Sequence, residues 1–202
     1  MQVHEMEQGT EGWHRIRGVG IVTASRAKDL MAEGQGKTRL AYMYQLIAQI
    51  MIGEPVQVFK GNEHTERGHE MEPIARKLYE ARFGVNVNEV GFIRNHDDIG
   101  GAGYSPDGLV GNYGAIEIKS RLPHIQAELL DTGKIPRDSM LQMQFGMWVA
   151  ELDWCDYVSY WPGMPLFVQR VEPDLELQDK IKNKLIDFYS EMNAKLEKLA
   201  QM

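Results

Sequence analysis

A single mixed α+β domain, with a central mixed β-sheet flanked by α-helices, is the fold class this sequence predicts, on three observations. Its 202 residues suffice for one sizeable core, and 43% hydrophobic with 25% charged residues is ordinary globular usage. Stretches of helical periodicity alternate with short strand-like runs along the whole chain. No repeat, low-complexity linker or shift in composition divides it, so residues 1–202 read as one domain.

The elements follow in order. Thr23 or Ser25 can cap a first helix running to about Met31, the hydroxyl taking an orphan N–H, and Gly34-Gln35-Gly36 breaks it. A second helix, about Thr38 to Ile52, ends at Gly53 and Pro55, and the spacing of Leu40, Tyr44, Ile47 and Met51 predicts a buried stripe. The third, about His69 to Phe83, turns Met71, Ile74, Ala75, Leu78 and Tyr79 inward and stops at Gly84. Strand-like runs over 86–95, 101–110 and 113–120 form the centre of the sheet. Helices from Pro123 to Leu130 and from Pro136 to Glu151 come next, the latter carrying Met140, Met143, Met147 and Trp148 as adaptable core filling. Strands over 154–161 and 166–171 precede a terminal helix, about Pro173 to Leu199, with Ile181, Leu185, Phe188 and Met192 on one apolar face.

Composition removes several function classes. No stretch approaches the ~18 consecutive apolar residues of a membrane span, and the first residues lack the apolar core of a signal peptide, so a soluble, cytoplasmic protein is expected. The lone Cys155 supplies no disulfide framework and no Cys₄ zinc or iron–sulfur site. Of six histidines, His64, His69, His96 and His124 show no paired spacing, and none is assigned to a metal. A net charge of −7 argues against coating DNA by bulk attraction, so any nucleic-acid site must be concentrated. One basic patch is available between positions 11 and 40, where six cations, Lys37 and Arg39 among them, face three carboxylates. Gly36-Lys37-Thr38 mimics the end of a phosphate-binding P-loop, but Met31 stands where that pattern needs glycine, and the preceding segment reads as helix. Lys37 fits a basic loop near DNA better.

Chemistry concentrates in Ser105-Pro106-Asp107-Gly108 and Ala115-Ile116-Glu117-Ile118-Lys119. Side chains alternate along a strand, so Glu117 and Lys119 share one face while Ile116 and Ile118 pack on the other. Turn signals at Gly108, Gly111-Asn112 and Gly114 let the chain fold back and bring Asp107 alongside. Asp107, Glu117 and the Ile118 carbonyl could then hold a hard divalent cation, with Lys119 beside it to activate a water or stabilise a phosphate. Such a trio can hold Mg²⁺ and cut a phosphodiester; the competing reading of Glu-x-Lys is a solvated charge pair on an exposed strand.

Two other polar residues admit two readings each. Glu72, placed in the first turn of the third helix, either complements the helix dipole or joins the carboxylates. Gln144, among apolar neighbours, must be satisfied by a backbone or side-chain partner, or by a substrate.

Read in order, Trp13-His14-Arg15-Ile16-Arg17, Val22-Thr23-Ala24-Ser25, Gly68-x-x-x-Glu72, Ser105-Pro106-Asp107-Gly108-Leu109, Glu117-Ile118-Lys119 and Gln144-x-x-Met147-Trp148-Val149 resemble the lambda-exonuclease family of viral recombinases (YqaJ-like), within the PD-(D/E)XK superfamily. The resemblance spans about residues 13–149 and implies a restriction-endonuclease-like core. It implies a nuclease in which Asp107, Glu117 and the Ile118 carbonyl are metal ligands, Glu72 serves near a second metal, and Lys119 is the catalytic lysine. Arg17, Ser25, Ser105 and Gln144 would grip a 5′-phosphate, Arg17 through its planar fork.

The implied activity is a Mg²⁺-dependent 5′→3′ exonuclease on double-stranded DNA ends, with Mn²⁺ a possible substitute and two ions sharing the work. Its products would be mononucleotides and a 3′ overhang, passed to a single-strand annealing protein in phage-type recombination. Family members form a homotrimeric ring, which would let an acidic monomer line a channel with its basic residues. This sequence departs from the family by one extra residue between Arg17 and Ser25, and by offering His64-Thr65-Glu66-Arg67 where the family has an apolar strand-separating wedge. Two alternatives remain at this level: a restriction-type or structure-specific endonuclease with the same metal site, and a non-catalytic DNA-binding scaffold.

Overall fold

Nine strands and seven α-helices make up the described residues, which in this computed structural model are 1–33, 36–56 and 63–202, the side chains of 63–66 and 69 excepted. In chain order they are β1 (Gln2–His4), α1 (Glu11–Ile16), β2 (Val22–Thr23), α2 (Ala27–Leu30), α3 (Lys37–Ile52), α4 (Glu63–Phe83), β3 (Val87–Asn88), β4 (Phe92–Asn95), β5 (Ala102–Tyr104), β6 (Gly108–Val110), β7 (Gly114–Lys119), α5 (Pro123–Thr132), α6 (Arg137–Ala150), β8 (Trp154–Ser159), β9 (Phe167–Val171) and α7 (Leu175–Leu199). Short 3₁₀ turns lie at Ala24–Arg26 and Asp97–Ile99.

The expected class holds: mixed strands flanked by helices. Hydrogen bonding divides the strands into two sheets, ordered β1-β4-β5-β2 and β3-β6-β7-β8-β9. Each contains one parallel pair, β2 with β5 and β7 with β8, among antiparallel neighbours. The long runs expected over 86–95 and 101–110 each split in two. The second breaks at Ser105-Pro106-Asp107, where proline has no N–H for a ladder and the chain steps from one sheet to the other. Asp107 therefore sits on the link between sheets rather than within a strand.

The two faces of β7 separate as its alternation requires. Ile116 and Ile118 pack with Ala75 and Tyr79 of α4. Ala115 joins the larger core with Cys155, Tyr157, Met147 and the α7 residues Ile181, Leu185, Phe188 and Met192. Gly146 lets α6 lie against that core, since a Cβ there would stand 2.6 Å from the fully buried ring of Tyr104.

Several helical expectations change. On α3 the buried strip is Tyr42, Met43, Leu46 and Ile47, whereas Leu40, Tyr44 and Met51 are exposed, Met51 by 62%. The helix is apolar on more than one side, and packing against α2 and α7 decides which side is covered. On α4, Ala75 and Tyr79 are buried as expected, while Ile74 and Leu78 face outward and Arg76 is buried instead. That helix begins at Glu63, so Glu72 lies past its first turns and next to Pro73, and the dipole reading of its carboxylate lapses. Neither Thr23 nor Ser25 caps a helix; their hydroxyls bond each other instead. The helix break at Gly34-Gln35 and the side chains of His64, Thr65 and Glu66, of the departure upstream of Gly68, lie outside the described residues.

Candidate active site

Glu72, Asp107 and Lys119 line one cavity of about 500 Å³ between α4 and the end of β7, and Glu117 lies buried beside them, close enough to feel the charges of Asp107, Lys119 and Glu72. Antiparallel pairing of Gly108 with Ile116 folds the hairpin so that Asp107 Oδ2 accepts from the Ile118 N–H at 2.6 Å. Glu117 is completely buried on β7; its Oε1 takes the Lys119 ammonium, and its Oε2 has no hydrogen-bond partner. Glu72 reaches in from α4. The solvated-pair reading of Glu-x-Lys fails here, because Glu117 has no exposure at all.

Arg76 organises this cluster, and nothing in the sequence singled it out. Its guanidinium pairs with Glu72 at 2.5 Å and Glu89 at 2.9 Å, and donates through Nε and Nη2 to the Asp107 carbonyl at 3.2 and 3.0 Å. It thus ties the helix carrying Glu72 to the loop carrying Asp107. The only available signal was the helical spacing of Glu72 and Arg76, which is common on solvated faces.

Electrostatics reflect three carboxylates around one space. Burial, and then the charge of Asp107, raise the Glu72 pKa to about 7, with Arg76 pulling the other way. Glu117 is likewise raised to about 7, first by burial; Lys119 opposes the shift and Asp107 adds to it. For Lys119 burial alone would lower the pKa, but Glu117 and Asp107 outweigh it and the ammonium is held protonated.

These donors fit a hard divalent cation. A buried carboxylate oxygen with no partner and carboxylates strained toward protonation are both relieved by positive charge. Among the described residues no group of three or more His, Cys, Asp or Glu side chains is placed to hold a metal ion. Mg²⁺ needs none, since it keeps several waters and takes one or two carboxylates.

A second network adjoins the first through Ser105. Trp13 Nε1 donates to the Gly91 carbonyl at 2.8 Å and to Ser105 Oγ at 3.2 Å. The Arg17 guanidinium lies 4.1 Å from the Trp13 ring centroid and donates to Thr23 Oγ1 at 3.4 Å, and Thr23 Oγ1 lies 3.3 Å from Ser25 Oγ. Burial lowers the Arg17 pKa. Arg17, Ser25 and Ser105 are therefore joined, with Trp13 as the unforeseen connector.

The other candidates lie apart from this network. Gln144 is buried with both ends of its amide engaged: Nε2 donates to the Glu172 carbonyl at 2.8 Å, while Oε1 accepts from Asp174 N at 2.9 Å and Gln178 Nε2 at 3.2 Å. It ties α6 to the start of α7. Gln142, one turn beyond Asp138, is half-buried and its amide has no hydrogen-bond partner among the described residues. Lys37 stands exposed at the start of α3. Arg39 turns to α7, pairing with Glu191 at 2.6 Å above the Phe188 ring. The basic patch dissolves further, since Arg15 pairs with Glu11 and Arg26 with Asp29.

A hairpin presenting Asp…Glu-x-Lys in the middle of a helix-flanked mixed sheet, with a further acidic residue opposite, is the arrangement of a nuclease. Comparison with known proteins places it more closely. Residues 12–153 match the YqaJ-like viral recombinase domain, and the chain belongs to that family. The crystal structure of an alkaline exonuclease (LHK-Exo) from Laribacter hongkongensis is 39% identical, with a TM-score of 0.86 over 95% of this chain and 97% of that one. The same enzyme in complex with dAMP matches equally well. A phage-related exonuclease from Haemophilus somnus 129PT, 18% identical with a TM-score of 0.63 over 87% of this chain and 96% of that one, shares the fold. No curated protein matches the chain. Among the described residues no helix is long and apolar enough to cross a membrane.

Proposed function

We propose that this nuclease is a Mg²⁺-dependent 5′→3′ exonuclease that degrades the 5′-phosphorylated strand of a DNA duplex end to mononucleotides and leaves a 3′ overhang. The observation that carries this reading is the continuity of the two networks: Ser105 belongs to the Arg17 network and Asp107, two residues on, to the carboxylate cluster. The likeness to an exonuclease at 39% identity supports it, as does that enzyme's complex with a mononucleotide.

In this reading Asp107, Glu117 and the Ile118 carbonyl hold one cation, and Glu72 contributes toward a second. The ions, when bound, supply an activated water and stabilise the leaving oxygen. Lys119, protonated at neutral pH, lends positive charge to the scissile phosphate. Arg17 takes the terminal 5′-phosphate with its fork, and the hydroxyls of Ser25 and Ser105 complete the cradle. Arg76 holds the Glu72 and Asp107 segments at fixed separation. Handover of the overhang to a single-strand annealing protein, assembly as a homotrimer and action in the cytoplasm of a bacterial host belong to the same proposal.

Linear duplexes labelled at the 5′ or 3′ end, and nicked circles, digested with and without Mg²⁺, test it directly. Loss of the 5′ label first, dependence on a 5′-phosphate and an untouched circle are expected. Early release of the 3′ label would reverse the polarity, and cutting of closed circles would establish an endonuclease instead.

A further inference from the structure

We propose that the outer half of the pocket is a subsite for the base of the second nucleotide, on the 3′ side of the bond that is cut, with the Arg67 guanidinium as its stacking surface. The inference rests on the end-directed reading, which puts the terminal phosphate at Arg17 and Ser105 and the scissile phosphate at Asp107 and Glu117. Continuing in that direction, the next nucleotide runs past Lys119.

There the cavity changes character. It is lined beyond Lys119 by Ser120, Arg121, Leu122 and Ile125, with Arg67 and Gly68 of α4 on the same space, and the Arg121 guanidinium is engaged by Ser139 Oγ, to which its Nη2 donates at 2.9 Å. A phosphate calls for cations and donors and has no use for aliphatic wall. A planar cation together with branched aliphatic side chains is instead the environment of an unstacked base, which has an apolar face and is attracted to guanidinium planes.

The plane of Arg67 is fixed in place rather than trailing in solvent. Its guanidinium carbon lies 5.1 Å from the centroid of Trp161, and Nη2 donates to the Ser120 carbonyl at 3.3 Å. Trp161, just past β8 and half-buried, is thus a positioning residue, while Arg67 meets the base. Lysine at 67 would keep the charge and lose both the plane and the fork. Charge and stacking are therefore separable by one substitution.

Calorimetric titration with three 5′-phosphorylated dinucleotides, with Ca²⁺ replacing Mg²⁺, tests the subsite: pdApdA, its analogue lacking the first base and its analogue lacking the second. Removal of the second base is expected to weaken binding about tenfold, the scale of one base–side-chain stack. Arg67→Lys and Trp161→Leu should erase that difference, with melting temperatures showing the variants folded, and Trp161→Phe should keep it. Equal affinity of the wild type for the intact dinucleotide and the one lacking its second base would overturn the proposal, with no variant needed. So would undiminished discrimination in Arg67→Lys. Failure of the end-directed reading would show separately, as digestion indifferent to the 5′-phosphate.

Discussion

Without a divalent cation, this protein should lose stability as pH rises from about 4.5 to about 7, and Glu117→Gln should remove much of the loss. The ordinary carboxylate value of 4.5 describes the unfolded chain, whereas Glu117 and Glu72 titrate near 7 when folded. Between those values the folded protein keeps protons that the unfolded chain has released, so each step up in pH favours unfolding. Below 4.5 both states are protonated and the effect vanishes; above 7 it is complete. A shift of this size corresponds to about 3 kcal/mol for Glu117 alone. Mg²⁺ at a hundredfold excess over its Kd would return about 2.7 kcal/mol at the alkaline end. Urea unfolding of wild type and Glu117→Gln from pH 5 to 8, with EDTA and with Mg²⁺, measures both quantities, and the difference between the two proteins gives the contribution of this carboxylate together with its coupling to Glu72, Asp107 and Lys119. A metal-free wild type whose stability is flat or rises over that range, or a variant with the same slope, would refute the reasoning.

Three further outcomes follow from the same geometry. Lys119→Ala should abolish digestion of linear duplexes while circular dichroism remains native, and full activity would exclude the proposed role of the ammonium. Arg17→Ala and Ser105→Ala should reduce the preference for 5′-phosphate over 5′-hydroxyl ends in rate measurements, whereas Gln144→Ala should leave that preference intact and cost about 1–3 kcal/mol in urea unfolding, because it strands the buried Gln178 amide of α7 together with the Glu172 carbonyl and the Asp174 N–H just before that helix. Gly146→Ala should destabilise the fold by about 1–3 kcal/mol, since the new methyl would meet a buried Tyr104 ring that has no room to yield; an unchanged melting midpoint would show that α6 can shift.

What could be read in the sequence was whatever depends on near neighbours. The faces of β7 follow from strict alternation, so the union of Glu117 with Lys119 and the opposite packing of Ile116 and Ile118 were both legible. The α7 stripe was legible for the same reason, because its hydrophobic spacing keeps to one side for the whole helix. Pairings between distant residues were not. Arg39 looks like part of a basic cluster until Glu191, on the last helix, neutralises it. Gln144 looks like a ligand-binding glutamine until the turn into α7 fills its amide. Arg76 is the clearest case, since its value lies in touching Asp107 across a fold that no local spacing encodes. On α3 the sequence offers two apolar strips, and only the placement of α2 and α7 chooses between them.

In the proposed end-directed reading, the step from one sheet to the other at Ser105-Pro106-Asp107 would also work as a ruler. Two residues of extended chain cannot reach beyond about 7 Å, and proline at the middle position removes much of the slack. With a terminal phosphate at Ser105, the cut at Asp107 falls within about one nucleotide of the end, whatever the base sequence. The size of the product would then be set by covalent bonds in the protein, and it would change only if the link were lengthened.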